Sequence, residues 1–129
     1  MGGHSYQAYG LSIHSSLELP ELRSAEFSEP ADLLIRAGAV EAPPLGERAS
    51  GLKWAASGEA CVVFRDAGAY QVRGGREITL AAGPQTGEAV LRLYLLGPVL
   101  AIALYQRGWL ILHASAVAVN GRVAGVCSM

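Results

Sequence analysis

His113 and Ser115 are the side chains whose type and spacing could do chemistry. His113 lies inside an apolar run, LILHASAVAV, where burial would lower its pKa and leave a neutral imidazole able to accept or donate a proton. Ser115 follows at i+2, on the same face of a strand. A serine and a histidine act as nucleophile and base only when a third group orients the imidazole, and no Asp or Glu is near in sequence. A hydrolase is therefore a poor fit. His113 remains the single candidate catalytic residue, beside the plainer reading of a core histidine bonded to a backbone carbonyl.

Arg73 and Arg76 flank Gly74-Gly75, a pattern that could grip a phosphate or carboxylate through backbone amides and guanidinium groups. A solvated hairpin tip has the same sequence. His4 and His14 have no companion at metal-ligand spacing and read as surface histidines. Cys61 and Cys127 are far apart with no C-x-x-C, so neither a zinc site nor a disulfide framework is indicated, and both read as reduced core residues. Trp54 and Trp109 are expected to cover core edges.

The elements that must position these residues belong to one apolar domain. The chain has 129 residues, 51% hydrophobic and 16% charged, enough for one core and far from a disordered composition. Ten basic and eleven acidic residues leave a formal charge of −1, which supplies no field to attract nucleic acid. The start, MGGHSYQAYG, has no basic region leading into an apolar run, and Tyr6 stands where myristoylation needs Ser or Thr. A cytoplasmic protein is the simplest expectation.

Residues 1–85 read as an antiparallel, strand-rich portion. Tyr6 to Ile13 forms one short strand, Pro20 marks an edge or loop, and Asp32 to Ala37 forms a second strand closed by Gly38. Glu41 to Gly51, with Pro43-Pro44, is a surface loop. Glu59 to Arg65, Ala69 to Val72 and Glu77 to Ala81 form a meander, because Asp-Ala-Gly and Gly-Gly are tight connections between alternating runs.

Residues 86–129 read as a helix plus a hairpin. Thr86 is the expected N-cap, with Glu88 in the first turn, of a helix running to about Gln106. Gly97-Pro98 should bend or interrupt it, and Arg107-Gly108 should end it. The uncharged run Leu93 to Tyr105 is short for a membrane span, which needs about 20 apolar residues. A helix buried in a protein core is the expectation. Asn120-Gly121 then joins two apolar runs as the type I′ turn of a hairpin. Its first strand is apolar on both faces and should be central, and a second such strand ending at Met129 reads as a domain cut in the middle. Together these elements make an α+β fold.

Gln106-Arg107-Gly108, Leu112 to Val117, Asn120-Gly121-Arg122 and the apolar strand after them resemble the segment before the phosphate-binding loop in bacterial proteins related to HPr serine kinase. Relatives of that group occur in peptide-modification systems, lasso-peptide biosynthesis among them. Tyr9 to Ile13, Leu19 to Leu22, Val72 to Ile78 and the helix from Leu96 to Gly108 follow the same order, through shorter and less specific matches. The resemblance implies an ATP- and magnesium-dependent kinase acting on a protein serine or a peptide, in which this strand leads into a Walker A loop, G-x-x-x-x-G-K-[ST]. Cys127 stands about where that loop's first glycine would fall, and the motif itself is not in the sequence, so this chain alone should be inactive. A homo-oligomer is compatible with the apolar composition. The rival expectation is a self-standing module that binds a peptide or protein through an uncovered sheet edge and an apolar face.

Overall fold

The computed structural model describes residues 3–26, 30–55, 57–109, 114–119 and 122–127, the last two segments as backbone. Eight strands form one mixed sheet: β1 His4–Ala8, β2 Leu11–Ser15, β3 Arg23–Ser24, β4 Leu33–Ala37, β5 Ser50–Trp54, β6 Glu59–Phe64, β7 Gly68–Arg73 and β8 Glu77–Ala81. Their spatial order is β3-β1-β2-β4-β8-β7-β6-β5. The meander β6-β7-β8 is antiparallel, as its turn chemistry implied.

The α+β class holds, with three changes to the strand-rich portion. Tyr6 to Ile13 is two strands rather than one, because Tyr9 and Gly10 take φ of 54° and 73° and fold β1 back on β2. The portion is not purely antiparallel: β4 inserts between β2 and β8 and runs parallel to both. The loop at Glu41 to Gly51 gives way at Ser50 to β5, which pairs with β6 and forms one edge of the sheet.

Alternation puts one face of β1, β2, β4, β6, β7 and β8 toward a common core. Tyr6, Ile13, Leu33, Ile35, Tyr70, Val72, Ile78 and Leu80 are buried there, while Leu34, Arg36 and Lys53 on the opposite face stay exposed. Arg36 pairs with Glu77 on that outer face. The helical segment covering the core consists of α1 Glu88–Tyr94, a π-helical turn Leu95–Val99 and α2 Leu100–Gln106. Leu91, Leu95, Val99, Leu100, Ala103 and Leu104 form its buried stripe.

Gly87, not Thr86, holds the helix N-cap position, with no side-chain cap bond. The Thr86 hydroxyl is already committed, accepting from Gly83 N–H at 3.0 Å across the Gly83-Pro84 turn. Pro98 sits inside the π turn, where a widened ladder absorbs its missing N–H. Arg107 and Gly108 end the helix as expected: Gly108 takes φ 87°, and Trp109 N–H returns to Leu104 O at 3.0 Å.

By length and composition Glu88–Gln106 is apolar enough to cross a membrane, a test that the core helix of a soluble protein also passes. Its stripe packs on the sheet. After gentle lysis the chain should fractionate with soluble protein, or as aggregate that urea alone dissolves. Release from washed membranes by detergent only would contradict this packing.

Tyr70 ties sheet to helix. Its hydroxyl donates to Ala67 O at 2.6 Å and lies 3.3 Å from Leu91 O. Burial pushes the phenol from its ordinary value of 10.0 up to about 12. The folded state therefore keeps this proton after the unfolded state has lost it. The resulting stabilisation is complete below the unfolded pKa and disappears as pH rises through that window. Tyr70→Phe should cost about 1 kcal/mol at neutral pH and flatten the alkaline loss, as read by urea unfolding at neutral and alkaline pH.

Strands β9 Ala114–Val119 and β10 Arg122–Cys127 form a second, two-stranded antiparallel sheet. Val119 pairs with Arg122, so the two residues between them are Asn120 and Gly121. Among the described residues β9 has β10 as its only ladder partner, where its apolar run implied a central strand.

Candidate functional site

Gln106 and Arg107, at the end of α2, draw together three turns that are distant in sequence. Gln106 Nε2 donates to Gly58 O at 2.9 Å and to Val72 O at 3.1 Å, while its Oε1 accepts from Gly75 N–H at 2.7 Å. Arg107 Nη1 donates to Gly75 O at 2.9 Å and to Asp32 O at 3.3 Å. The β5–β6 turn, the β7–β8 turn and the segment before β4 are thereby fixed beneath the helix end. In the sequence Gln106 stood only as the end of the helix and as part of the resemblance, with no bonding role assigned to it. Its one local signal was an amide closing an otherwise apolar stripe.

Beside this junction opens a cleft of about 490 Å³, lined by Trp54, Gly58, Gly74, Tyr105, Gln106, Gly108 and Trp109. Trp54 and Tyr105 meet edge to face with centroids 5.9 Å apart, and Tyr9 meets Trp109 in the same way at 6.4 Å. Trp54 is 46% exposed, Tyr105 62%, Trp109 40% and Tyr9 57%, so these rings are not the core covers expected of the two tryptophans. The helix packs mainly on β7, and at β5 it contributes Tyr105 alone, so Trp54 is covered only at its edge. Tyr9 is the only non-glycine among the described residues with positive φ. Asparagine or glycine would be the inexpensive choice at that turn.

The Arg73-Gly74-Gly75-Arg76 segment is a clamped hairpin tip rather than an anion grip. Gly75 N–H is held by Gln106, Arg76 N–H donates to Arg73 O at 2.9 Å, and the Arg73 guanidinium lies 3.5 Å from Glu59. The Gly75 and Arg76 amides, two of those that would cradle a phosphate, are thus committed internally.

Ser12 and Asp32 form a reciprocal clasp. Ser12 N–H donates to Asp32 Oδ2 at 2.8 Å, and Asp32 N–H donates to Ser12 O at 2.9 Å and to Ser12 Oγ at 3.0 Å. The Ser12 donors, helped by Arg107, hold the Asp32 carboxyl below its usual range. Likewise Arg92 Nε, 2.9 and 3.0 Å from the two Glu21 oxygens, lowers that carboxyl and pins the Pro20 loop to α1. On the outer sheet face, burial pushes the Cys61 thiol up, and its Sγ lies 3.5 Å from Glu41 O. A raised thiol is a poor nucleophile.

His4 is exposed on β1 and stacks on Tyr6, with centroids 6.2 Å apart. His14, expected at the surface, is half-buried on β2, opposite Ser5 and Leu34 in the ladder. Among the described residues no three His, Cys, Asp or Glu side chains gather as a metal site would require. His113 lies outside the described residues. Ser115 pairs with Val126 and Cys127 with Ala114 in the β9–β10 ladder.

Comparison with protein-family models, with curated proteins and with solved structures found no match to this chain. The geometry defines an α+β domain whose described residues offer a braced helix terminus and an aromatic cleft at a sheet edge.

Proposed function

We propose that this chain is the N-terminal part of a cytoplasmic, ATP-dependent phosphotransferase related to HPr serine kinase, acting on a protein serine or a peptide. One observation carries this reading: the hairpin closes with Val119 paired to Arg122 and sends β10 on to Cys127. In the proteins that the sequence resembles, a strand so placed leads straight into the phosphate-binding loop. Gln106-Arg107-Gly108, which belongs to the same resemblance, has a structural task here consistent with it, because it holds the helix end from which the chain departs toward β9.

Phosphoryl transfer needs a cluster of backbone N–H donors, a lysine on the β- and γ-phosphates and a magnesium ion. The residues present do not fit ATP. No G-x-x-x-x-G-K-[ST] occurs among them, and the Gly74-Gly75 turn is internally bonded. On this reading residues 1–129 build the scaffold next to the nucleotide site, and the nucleotide contacts come from sequence beyond β10. The DNA following the Met129 codon tests this directly. A glycine-rich segment ending in Gly-Lys-Ser or Gly-Lys-Thr within about ten residues supports the proposal, since that is where such a loop opens its helix. A stop codon in an intact, expressed gene removes it.

The second reading, a self-standing binding module, is favoured by the half-exposed rings beside the edge strand β5. The behaviour of the 129-residue chain separates the two. A stable, monodisperse monomer favours the module, and aggregation or forced dimerisation favours the kinase part.

A further inference from the structure

Two independent features of the molecule meet at Trp54. The first is the edge of the sheet. Ala55 N–H bonds Glu59 O and Arg65 N–H bonds Ala49 O, so in the intervening antiparallel ladder the odd-numbered residues of β5 face β6. The backbone groups of Ser50, Leu52 and Trp54 therefore point outward, and β5 has no neighbour on that side among the described residues. The second feature is the cleft. Leu52 and Trp54 project their side chains on the helix side of the sheet, where they are 51% and 46% exposed, and the Trp54 ring opens onto Tyr105 and Trp109. On the other side of the same strand stands Lys53, exposed and without an ion pair among the described residues.

We propose that the outer edge of β5 receives an extended peptide segment of a partner protein by strand addition, its apolar side chains on Leu52, Trp54 and the aromatic cleft and an acidic side chain on Lys53. Backbone donors and acceptors at strand spacing are matched by a polypeptide and by no small ligand, which fixes the class of partner. Side chains of an added strand alternate between the two faces, as Leu52, Lys53 and Trp54 do, so an apolar-acidic alternation is the pattern this edge reads. The charge of Lys53 sets the sign. A lysine on an edge strand also discourages self-pairing, which favours a foreign acidic strand over a second copy of this chain. The docking stands on the edge itself and holds whether or not a phosphate loop follows β10.

A short blocked peptide in which glutamate and valine alternate is the probe, titrated into the isotopically labelled full chain and followed by amide NMR. Shifts and slowed exchange should concentrate at Ser50, Leu52 and Trp54, and Trp54→Ala should weaken binding about fivefold or more, as truncation of an interface anchor does. Lys53→Glu should reverse the preference toward a lysine-valine peptide. Leu52→Pro, which removes an outward N–H and leaves the β6 ladder intact, should abolish the slowed exchange. The charge reversal keeps the proposal testable if the proline variant fails to fold. Absence of shifts at millimolar peptide, shifts mapping to the outer sheet face, or an unchanged preference in Lys53→Glu would overturn it. So would concentration-dependent self-association through the same three amides without peptide.

Discussion

Gly75→Ala should be among the most damaging single substitutions in this chain, costing about 3–5 kcal/mol, while Gly74→Ala next to it should cost about 1 kcal/mol. Both glycines have positive φ, 56° and 66°, so both replacements carry the penalty of a left-handed alanine. Space separates them. A Cβ on Gly74 meets nothing within 4 Å, whereas a Cβ on Gly75 meets Arg107 Cγ and lies 2.7 Å from the backbone oxygen of Ala103. Relieving that contact means moving the turn away from α2, which strands the Gly75 N–H and Gln106 amide bonds in a partly buried place. The loss is a large share of a stability of about 5–15 kcal/mol for a domain of this kind. Urea unfolding of the two variants checks it. Equal effects would mean that the helix end is not braced on this turn.

Leu95→Ala should cost about 2–5 kcal/mol, and Leu93→Ala within about 0.5 kcal/mol of nothing. Leu95 is fully buried in the π turn against the sheet, and Leu93 is 69% exposed on the outer side of the same helix. Removing buried methyl groups forfeits their transfer energy and leaves a cavity that a helix pinned at both ends cannot close. Arg92 to Glu21 holds one end and Gln106 the other. Thermal unfolding of both variants distinguishes this arrangement from a helix packed by its other face, which would reverse the ranking.

Features governed by adjacent residues were legible in the sequence. Asn120-Gly121 fixed a two-residue connection, Asp66-Ala67-Gly68 and Gly74-Gly75 marked the meander, and Arg107-Gly108 marked the helix end. Features set by distant partners were not. Tyr9 is a residue that turn chemistry does not select, so β1 and β2 read as one strand. Pro43, Pro44 and Gly46 concealed β5, whose only ladder partner among the described residues is β6. The parallel insertion of β4 depends on β2 and β8, and nothing local encodes it.

The site followed the same division. Arg73 and Arg76 drew attention by type, yet the groups that organise the region are Gln106 and Arg107. Gln106 has partners 31, 34 and 48 positions away. Nothing local to such a side chain names its partners. Trp54 and Trp109 were expected to cover core edges and instead stand half-exposed at the cleft, because where the helix ends on the sheet is a tertiary fact.

Calorimetric titration of Mg-ATP into two proteins tests the proposal that β10 leads into a phosphate-binding loop supplied by sequence beyond residue 129. One is the 129-residue chain, and the other is the same chain extended through its downstream coding sequence. The first should give no saturable heat at millimolar nucleotide, and the second a dissociation constant below about 100 μM, roughly −5.5 kcal/mol. Saturable binding by the 129 residues alone, or none by the extended protein, would contradict it.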